Sequence, residues 1–356
     1  MLPVSYHVDV NTFSQTISNR YLMNSYKLYW FAGILEEVKS GNNKISFKRI
    51  VSRMVARSWY SLLKYKLHFG FQDRLYVLVQ YVQQISCLED TTSESAILQF
   101  IENSNDRMLD RYIRHFYTFV PYRFISPFYY DEIKGIQEKD KNVLLGQLSK
   151  SKTKFYCIED ERIELIEEWF DYLYTNQTII EGWLNLRLIT FLQRRNPHVP
   201  AISAKLYPPR RRNLKNATRF WAVVQKEIGI YNIYTGDNIK DNDYSLDHFI
   251  PWSFVMHDSL WNLIPVSRSI NSMKSDRIPK LSKYLENFCD IQYSAFNTAL
   301  NIGLSKKNIE DYLFLSAVEL KKDFPKEIFV KSLHEIIKPL HQLAMNQGFQ
   351  VWENHY

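Results

Sequence analysis

SLDHFIPWSFVMHDSLWNLIPVSRSINSMKSDRIP, residues 245–279, is the stretch on which the reading of this chain turns. Residues 244–250 alternate apolar and polar side chains around Asp247 and His248 and stop at Pro251, which has no N–H for a ladder; they predict a strand. Residues 261–266 form a second short apolar run, and 252–260 make a loop long enough to reverse the chain between the two. Ser267 can then cap a helix that runs until Pro279 restricts Ile278. On that helix Ser267, Asn271 and Lys274 fall on one face, and Ile270 and Met273 on another. The predicted unit is strand, loop, strand, helix, and it carries Asp247, His248, Asn262, Asn271 and Lys274.

The pattern DH…P.SF…DS…N…..R..N..KSD..P, as it stands here, resembles the ββα-metal finger of HNH endonucleases and is especially similar to the HNH domain of the RNA-guided CRISPR nucleases. The motif covers about a tenth of the chain, although residues 155–288 also read like the wider surroundings of bacterial HNH proteins. The resemblance implies that His248 is the general base, that Asp247 binds a metal ion, and that Asn262 holds the catalytic loop and the ring of the base in position. Asn271 stands where many members have the last His of the name; its amide would be the second metal ligand, which makes this an H-N-N variant. The implied reaction is hydrolysis of DNA phosphodiesters to a 5′-phosphate and a 3′-hydroxyl, in a bacterial defence or mobile-element setting. Many HNH proteins carry a cysteine knuckle before the Asp-His strand. The matching place here reads Tyr234-Thr235-Gly236, so no structural zinc is expected.

The chemistry stands without the family. In-line attack on a phosphodiester needs a base with a pKa near neutrality, which imidazole provides, and a cation on the phosphoryl and leaving oxygens. One carboxylate and one amide are hard ligands that leave room for water and phosphate, which suits Mg²⁺ or Mn²⁺ better than Zn²⁺. Lys274 is placed to meet a phosphate oxygen as a point charge. Taken singly, an Asp-His pair is a surface turn and an Asn before a helix is a cap; only their combination argues for a site. Neighbours on a regular strand point to opposite faces, so Asp247 and His248 can serve one phosphate only at a strand end or a distortion. His257 reads as a solvated loop residue.

Outward from the finger, Arg210, Arg211, Arg212 and Lys215 cluster just before it as candidate phosphate contacts, and Arg268 and Arg277 on the finger itself join them. The chain has 356 residues, 46% of them apolar, and a formal net charge of +7, which fits a polyanionic partner without establishing one. The three cysteines are scattered singly, so neither a disulfide framework nor a Cys-x-x-Cys site is available. The longest apolar run near the start, 28–35, is too short to span a bilayer and no signal-peptide pattern precedes it, so no membrane partner and a cytoplasmic location are expected.

Residues 1–135 read as a helical domain, with helices over 21–38, 47–67, 74–85 and 93–101. Lys48, Arg49, Arg53, Arg57 and Lys64 recur along the second of these as a solvated basic stripe. Residues 111–130 interleave basic and aromatic side chains; stacking platforms for single strands use these types, but Pro121 and Pro127 favour an irregular segment packed between domains. Lysine-rich 136–154 reads as a linker, 155–300 as the nuclease domain around a core at 244–279, and 301–356 as C-terminal helices. Within these, 161–174, 182–195, 308–322 and 326–346 have helical patterns. The expected fold is α+β and mostly α: a helical N-terminal domain, then a ββα-metal HNH domain with flanking helices. The expected partner is DNA, with a second protein of the same system alongside it. Two other functions fit the same residues: a nucleic-acid-binding or regulatory module that does not cut, and an RNA-directed nuclease.

Overall fold

The computed structural model describes residues 2–18, 22–151, 153–209, 212–239 and 243–354. The chain divides into two compact units, Met1–Pro197 with Ile202–Pro209, and His198–Ala201 with Arg210–Tyr356. Helices dominate both, with three small sheets among them, so the fold is the mostly helical α+β class expected.

In the first unit the helix Tyr26–Lys39 is apolar nearly all round, with Leu28, Trp30, Phe31, Ile34 and Leu35 inside, as a central helix must be. It packs against Phe47–Trp59, which buries Ile50, Val51, Met54 and Val55. Gly33 allows the close crossing: a Cβ there would lie 3.0 Å from the Ile50 side chain and 3.0 Å from its carbonyl oxygen. Strands β1 (Lys44–Ser46), β2 (Tyr156–Glu159) and β3 (Arg162–Leu165) form an antiparallel sheet in the order β1-β3-β2.

That sheet overturns one helix of the sequence reading. Arg162–Leu165 form the return strand of a hairpin, with Asp160 and Glu161 both at positive φ in the turn, and the helix begins only at Glu167. The segment expected to be a linker, 136–154, holds the helix Glu138–Ser149, whose Leu145 is fully buried; lysines on its outer face gave the stretch its linker-like composition. The boundary between the compact units falls at Pro209 and Arg210. Residues 111–130 are packed, with Phe116, Phe124 and Phe128 buried, but they lie within the first unit rather than between domains, and short helices rather than irregular chain run through them. The basic stripe is consumed by ion pairs: Arg49 and Arg53 both bond Glu37, Arg57 meets Glu181, and Lys64 meets Asp90.

The second unit is built around β4 (Ser245–His248) and β5 (Leu263–Val266), antiparallel with Ser245 opposite Val266 and His248 opposite Leu263. The helix Arg268–Lys274 follows β5, then β6 (Ile278–Pro279), which pairs in parallel with β7 (Val351–Trp352) at the end of the chain. Helices Lys215–Ile228, Leu281–Asn301 and Lys326–Asn346 surround the finger, and Phe249 stacks on Phe288 with ring centroids 4.1 Å apart. Where a helix over 308–322 was expected, only 3₁₀ turns at Lys306–Asn308 and Glu310–Phe314 form, and Ala317 and Asp323 take positive φ, which a continuing helix excludes. No helix among the described residues is long and apolar enough to cross a membrane.

Candidate active site

Strand β4 ends at His248, which places Asp247 and His248 at the strand terminus that two neighbouring residues need in order to act together. Beyond it Pro251 starts a single helical turn, Trp252–Val255, and Met256 in the left-handed conformation closes that turn. The loop is pinned from inside by Asn262. Its amide oxygen accepts the Ile250 N–H at 2.8 Å, its amide nitrogen donates to the Ile250 carbonyl at 2.9 Å, and its own carbonyl accepts the Phe249 N–H at 2.9 Å. Fully buried, Asn262 satisfies backbone groups that the turn away from the sheet would otherwise leave orphaned. Gln292 supports the same loop from the Leu281–Asn301 helix by donating to the carbonyls of Leu260 and Leu263.

His248 is 5% exposed and both its ring nitrogens have partners. Nδ1 lies 3.2 Å from the Arg212 guanidinium and Nε2 lies 2.8 Å from the Asp258 carboxylate. A guanidinium only donates and a carboxylate only accepts, which fixes the tautomer: Nε2 carries the hydrogen and gives it to Asp258, and Nδ1 keeps its lone pair. Burial holds the imidazole below its ordinary pKa, with Asp258 pulling it up and the Arg212 charge pushing it further down. At neutral pH the ring is therefore an unprotonated base whose free electron pair faces a cation.

Asp247, 3% exposed, is gripped on both oxygens. Oδ1 accepts from the Lys274 ammonium at 2.9 Å and Oδ2 from the Tyr234 hydroxyl at 2.8 Å. Lys274 also donates to the His248 carbonyl at 2.8 Å, which ties the helix to the end of β4. Tyr234 stands between the rings of Tyr284 and Trp352, each centroid 5.0 Å away, and its hydroxyl is held well above the ordinary tyrosine pKa by burial and by the Asp247 charge, so it acts as a donor.

Residues 232–280 match the family model of HNH endonucleases. The chain carries an HNH endonuclease domain. No curated protein and no solved structure matches it.

Within the HNH domain the structure brings Asp247, His248, Asn262 and Lys274 together through the contacts above. Lys274 departs from the role read for it: fully buried on Asp247 and on a backbone carbonyl, it has no free face for a phosphate oxygen. Met273 is the exposed neighbour, and Ile270 and Lys274 form the inward face of the short helix. Asn271 is half-buried, and no described residue engages its side-chain amide. Arg277 turns back to cap the helix, donating to the carbonyls of Lys274 and Met273, so its guanidinium is committed to the fold. Arg268 and Lys215 are exposed. Arg212 lies over the Trp252 ring at 5.6 Å while reaching His248, and Arg210 and Arg211 lie outside the described residues. His257 is half-buried against Trp261 rather than solvated.

Sequence reasoning missed Asp258 and Tyr234. Asp258 was visible as the Asp of the quoted DS pair, but its contact with His248 depends on how the loop folds back. Tyr234 lies in the turn 231–239, closed by the Asn232 N–H on the Asp237 carbonyl and the Gly236 N–H on the Asn232 carbonyl; its distance from Asp247 in sequence hid the hydrogen bond.

Among the described residues no three His, Cys, Asp or Glu side chains converge as a metal cluster. In donor chemistry, one carboxylate and one amide suit a loosely held hard cation. Each Asp247 oxygen keeps a lone pair beyond its single protein contact, and the Asn271 amide is uncommitted.

Proposed function

We propose that this chain is a divalent-metal-dependent endonuclease that hydrolyses phosphodiester bonds in DNA, with His248 as general base. The observation that carries the reading is the tautomer of His248: a buried neutral imidazole, oriented through Nε2–H by Asp258, with its Nδ1 lone pair facing the Arg212 guanidinium. A general base needs an unprotonated nitrogen at neutral pH and a fixed direction, and this ring has both once Arg212 leaves Nδ1.

Asp247 and Asn271 would hold Mg²⁺ or Mn²⁺, which when bound neutralises charge on the phosphoryl and leaving oxygens. His248 Nδ1 takes the proton of the attacking water. Asp258 stabilises the imidazolium that results, because its carboxylate already accepts the Nε2 hydrogen. Arg212 moves from the ring to a phosphate oxygen as the strand arrives, which both anchors the strand and uncovers the base. Asn262 keeps the loop, and with it the ring, from shifting as charge develops. Lys274 and Tyr234 set the position of the Asp247 carboxylate. Arg268 and Lys215, both exposed, extend the cationic track for the phosphate backbone.

The test is incubation of the full chain with supercoiled plasmid, linear duplex and single-stranded DNA, and with RNA, in Mg²⁺, Mn²⁺ or EDTA. Metal-dependent cuts bearing 5′-phosphates are the expected result. Stable binding with no cleavage under any metal would favour the non-cleaving module, and cleavage confined to RNA would overturn the choice of DNA.

A further inference from the structure

In the first unit a hollow of about 1040 Å³ opens beside the helices Leu75–Ser86 and Arg107–Arg114. Met108, Arg111, Tyr112 and His115 line it at spacings of three, one and three residues, so a single stripe along the helix faces it. Phe116, buried and met edge-on by Tyr26 at 4.9 Å, lies beneath. On the opposite rim Phe71 projects from a turn with 99% of its surface exposed, next to Arg74.

The charges of this hollow are unusual for the unit. Arg74 and Arg111 are exposed and meet no carboxylate among the described residues, whereas Arg114 is paired with Asp110 and Glu161. Asp73 is the one carboxylate in the wall, and it faces inward: its oxygens accept the Ser25 N–H at 2.8 Å and the Leu75 N–H at 3.0 Å. Burial, and after it the Arg74 charge, holds the His115 imidazole below its ordinary pKa. Three other hollows of the unit mix their signs. One carries Glu138, Glu159, Asp160 and Glu161, another sets Asp106 and Asp110 beside Lys48 and Arg107, and the third sets Asp9 and Glu168 beside Lys154. A polyanion is repelled or ignored there and welcomed here.

We propose that this groove binds single-stranded DNA, with backbone phosphates on Arg74 and Arg111 and a base stacked on Phe71. Free arginines supply the sequence-independent attraction, and an uncovered aromatic ring supplies a face that any base can cover. The helical stripe is roughly 10 Å long at 1.5 Å per residue, the span of about three stacked nucleotides. An acidic peptide would satisfy the arginines but has no flat ring for Phe71. The choice of DNA over RNA rests on the endonuclease reading above; the groove itself does not.

Full-length protein in EDTA, which suppresses cleavage, is titrated with fluorescent oligo-dT, oligo-U, a DNA duplex and a poly-glutamate peptide. Phe71→Ala should weaken oligo-dT binding by about five- to a hundredfold, the range for loss of one stacking partner. Arg74→Glu with Arg111→Glu should make the log–log salt slope shallower by about 1.4 for the two cations. All three positions are exposed, and unchanged thermal midpoints confirm that folding is intact. An oligonucleotide carrying 5-iododeoxyuridine should photocrosslink at Phe71. Variants that bind oligo-dT as the wild type does, with crosslinks elsewhere, overturn the proposal, as does tighter binding of duplex or of poly-glutamate at this site. Oligo-U bound in preference to oligo-dT overturns the assignment to DNA. A plasmid assay run in parallel keeps the two readings apart: wild type that cuts while the groove variants bind normally sinks the groove alone, and wild type that never cuts while the groove variants lose binding sinks the endonuclease alone.

Discussion

Glu37 in the first unit and Asp247 in the second are both buried carboxylates held by basic side chains, and they differ in what the cluster leaves open. Glu37 receives the guanidinium groups of Arg49 and Arg53 on one oxygen and the Asn42 amide on the other, and the arrangement closes on itself. Around Asp247 the cations are shared. Lys274 divides its protons between Asp247 and the His248 carbonyl, Arg212 rests on the neighbouring imidazole, and Asn271 stays uncommitted. Two clusters of like composition thus have different chemistry. The first neutralises a charge inside a helical bundle; the second leaves lone pairs on Asp247 and the Asn271 amide without a partner among the described residues, and the proposed metal site draws on these.

The strongest way to break this contrast is to remove the base. His248→Ala should lower DNA cleavage by about two to four orders of magnitude while DNA affinity stays near wild type, measured by plasmid nicking and by filter binding in EDTA. The mirror change, Glu37→Gln, should leave the cleavage rate unaltered and cost only stability, on the order of 1–3 kcal/mol in urea unfolding. A Glu37→Gln protein that is stable and inactive would make the first cluster functional too.

Next in size is Lys274. Its ammonium and the Asp247 carboxylate are both out of water, so Lys274→Met leaves a buried uncompensated charge and should destabilise the protein by about 3–5 kcal/mol, read as a lowered denaturation midpoint. Tyr234→Phe deletes one hydrogen bond to the same carboxylate and should cost about 1.5–3 kcal/mol. If Lys274→Met folds as well as the wild type, the pair is not what holds the helix to β4.

The sequence made some of this legible and hid the rest for identifiable reasons. The order strand, loop, strand, helix was readable because Pro251, the apolar run at 261–266 and Pro279 punctuate it locally. So was the loop-holding part of Asn262, which came with the family likeness and is seen in its bonds to Ile250. Lys274 was placed on the correct helix but given the wrong neighbour, since helical periodicity fixes a face and not what packs against it. The hairpin at Asp160–Glu161 was lost because its four-residue strands are too short to outweigh the helical look of 161–174. Asp258 and Tyr234 reach His248 and Asp247 only through the folding of a loop and a turn, 10 and 13 residues away, and periodicity does not report such contacts.

A smaller effect sharpens the metal assignment. Asn271→His replaces a hard amide oxygen with imidazole, which favours Ni²⁺, Co²⁺ or Zn²⁺ over Mg²⁺. Cleavage in Mg²⁺ should fall on the order of tenfold or more and recover in part with Ni²⁺ or Co²⁺, whereas Asp247→Ala should fail with every ion. Equal activity of Asn271→His and wild type in Mg²⁺ would remove Asn271 from the metal site.

The finest test separates the two groups that flank His248, and it turns on sign rather than size. The base acts in its neutral form, so cleavage should rise as pH climbs through the folded pKa of His248, which burial places below the ordinary 6.5, and stay level through neutrality. Asp258 raises that pKa by stabilising the imidazolium. Asp258→Asn retains an acceptor for the Nε2 hydrogen but loses the charge, so the acid limb of the pH–rate profile should move to lower pH, with a reduced plateau because the imidazolium formed in the reaction is less stabilised. Arg212 lowers the pKa by charge repulsion. Arg212→Ala should therefore move the limb to higher pH, and its weaker hold on DNA should show in KM more than in kcat. A buried histidine with a purely structural part would give one unchanged profile for both variants. Shifts in the same direction would mean that the limb reports DNA binding; only opposite shifts tie it to the ring that Arg212 and Asp258 share.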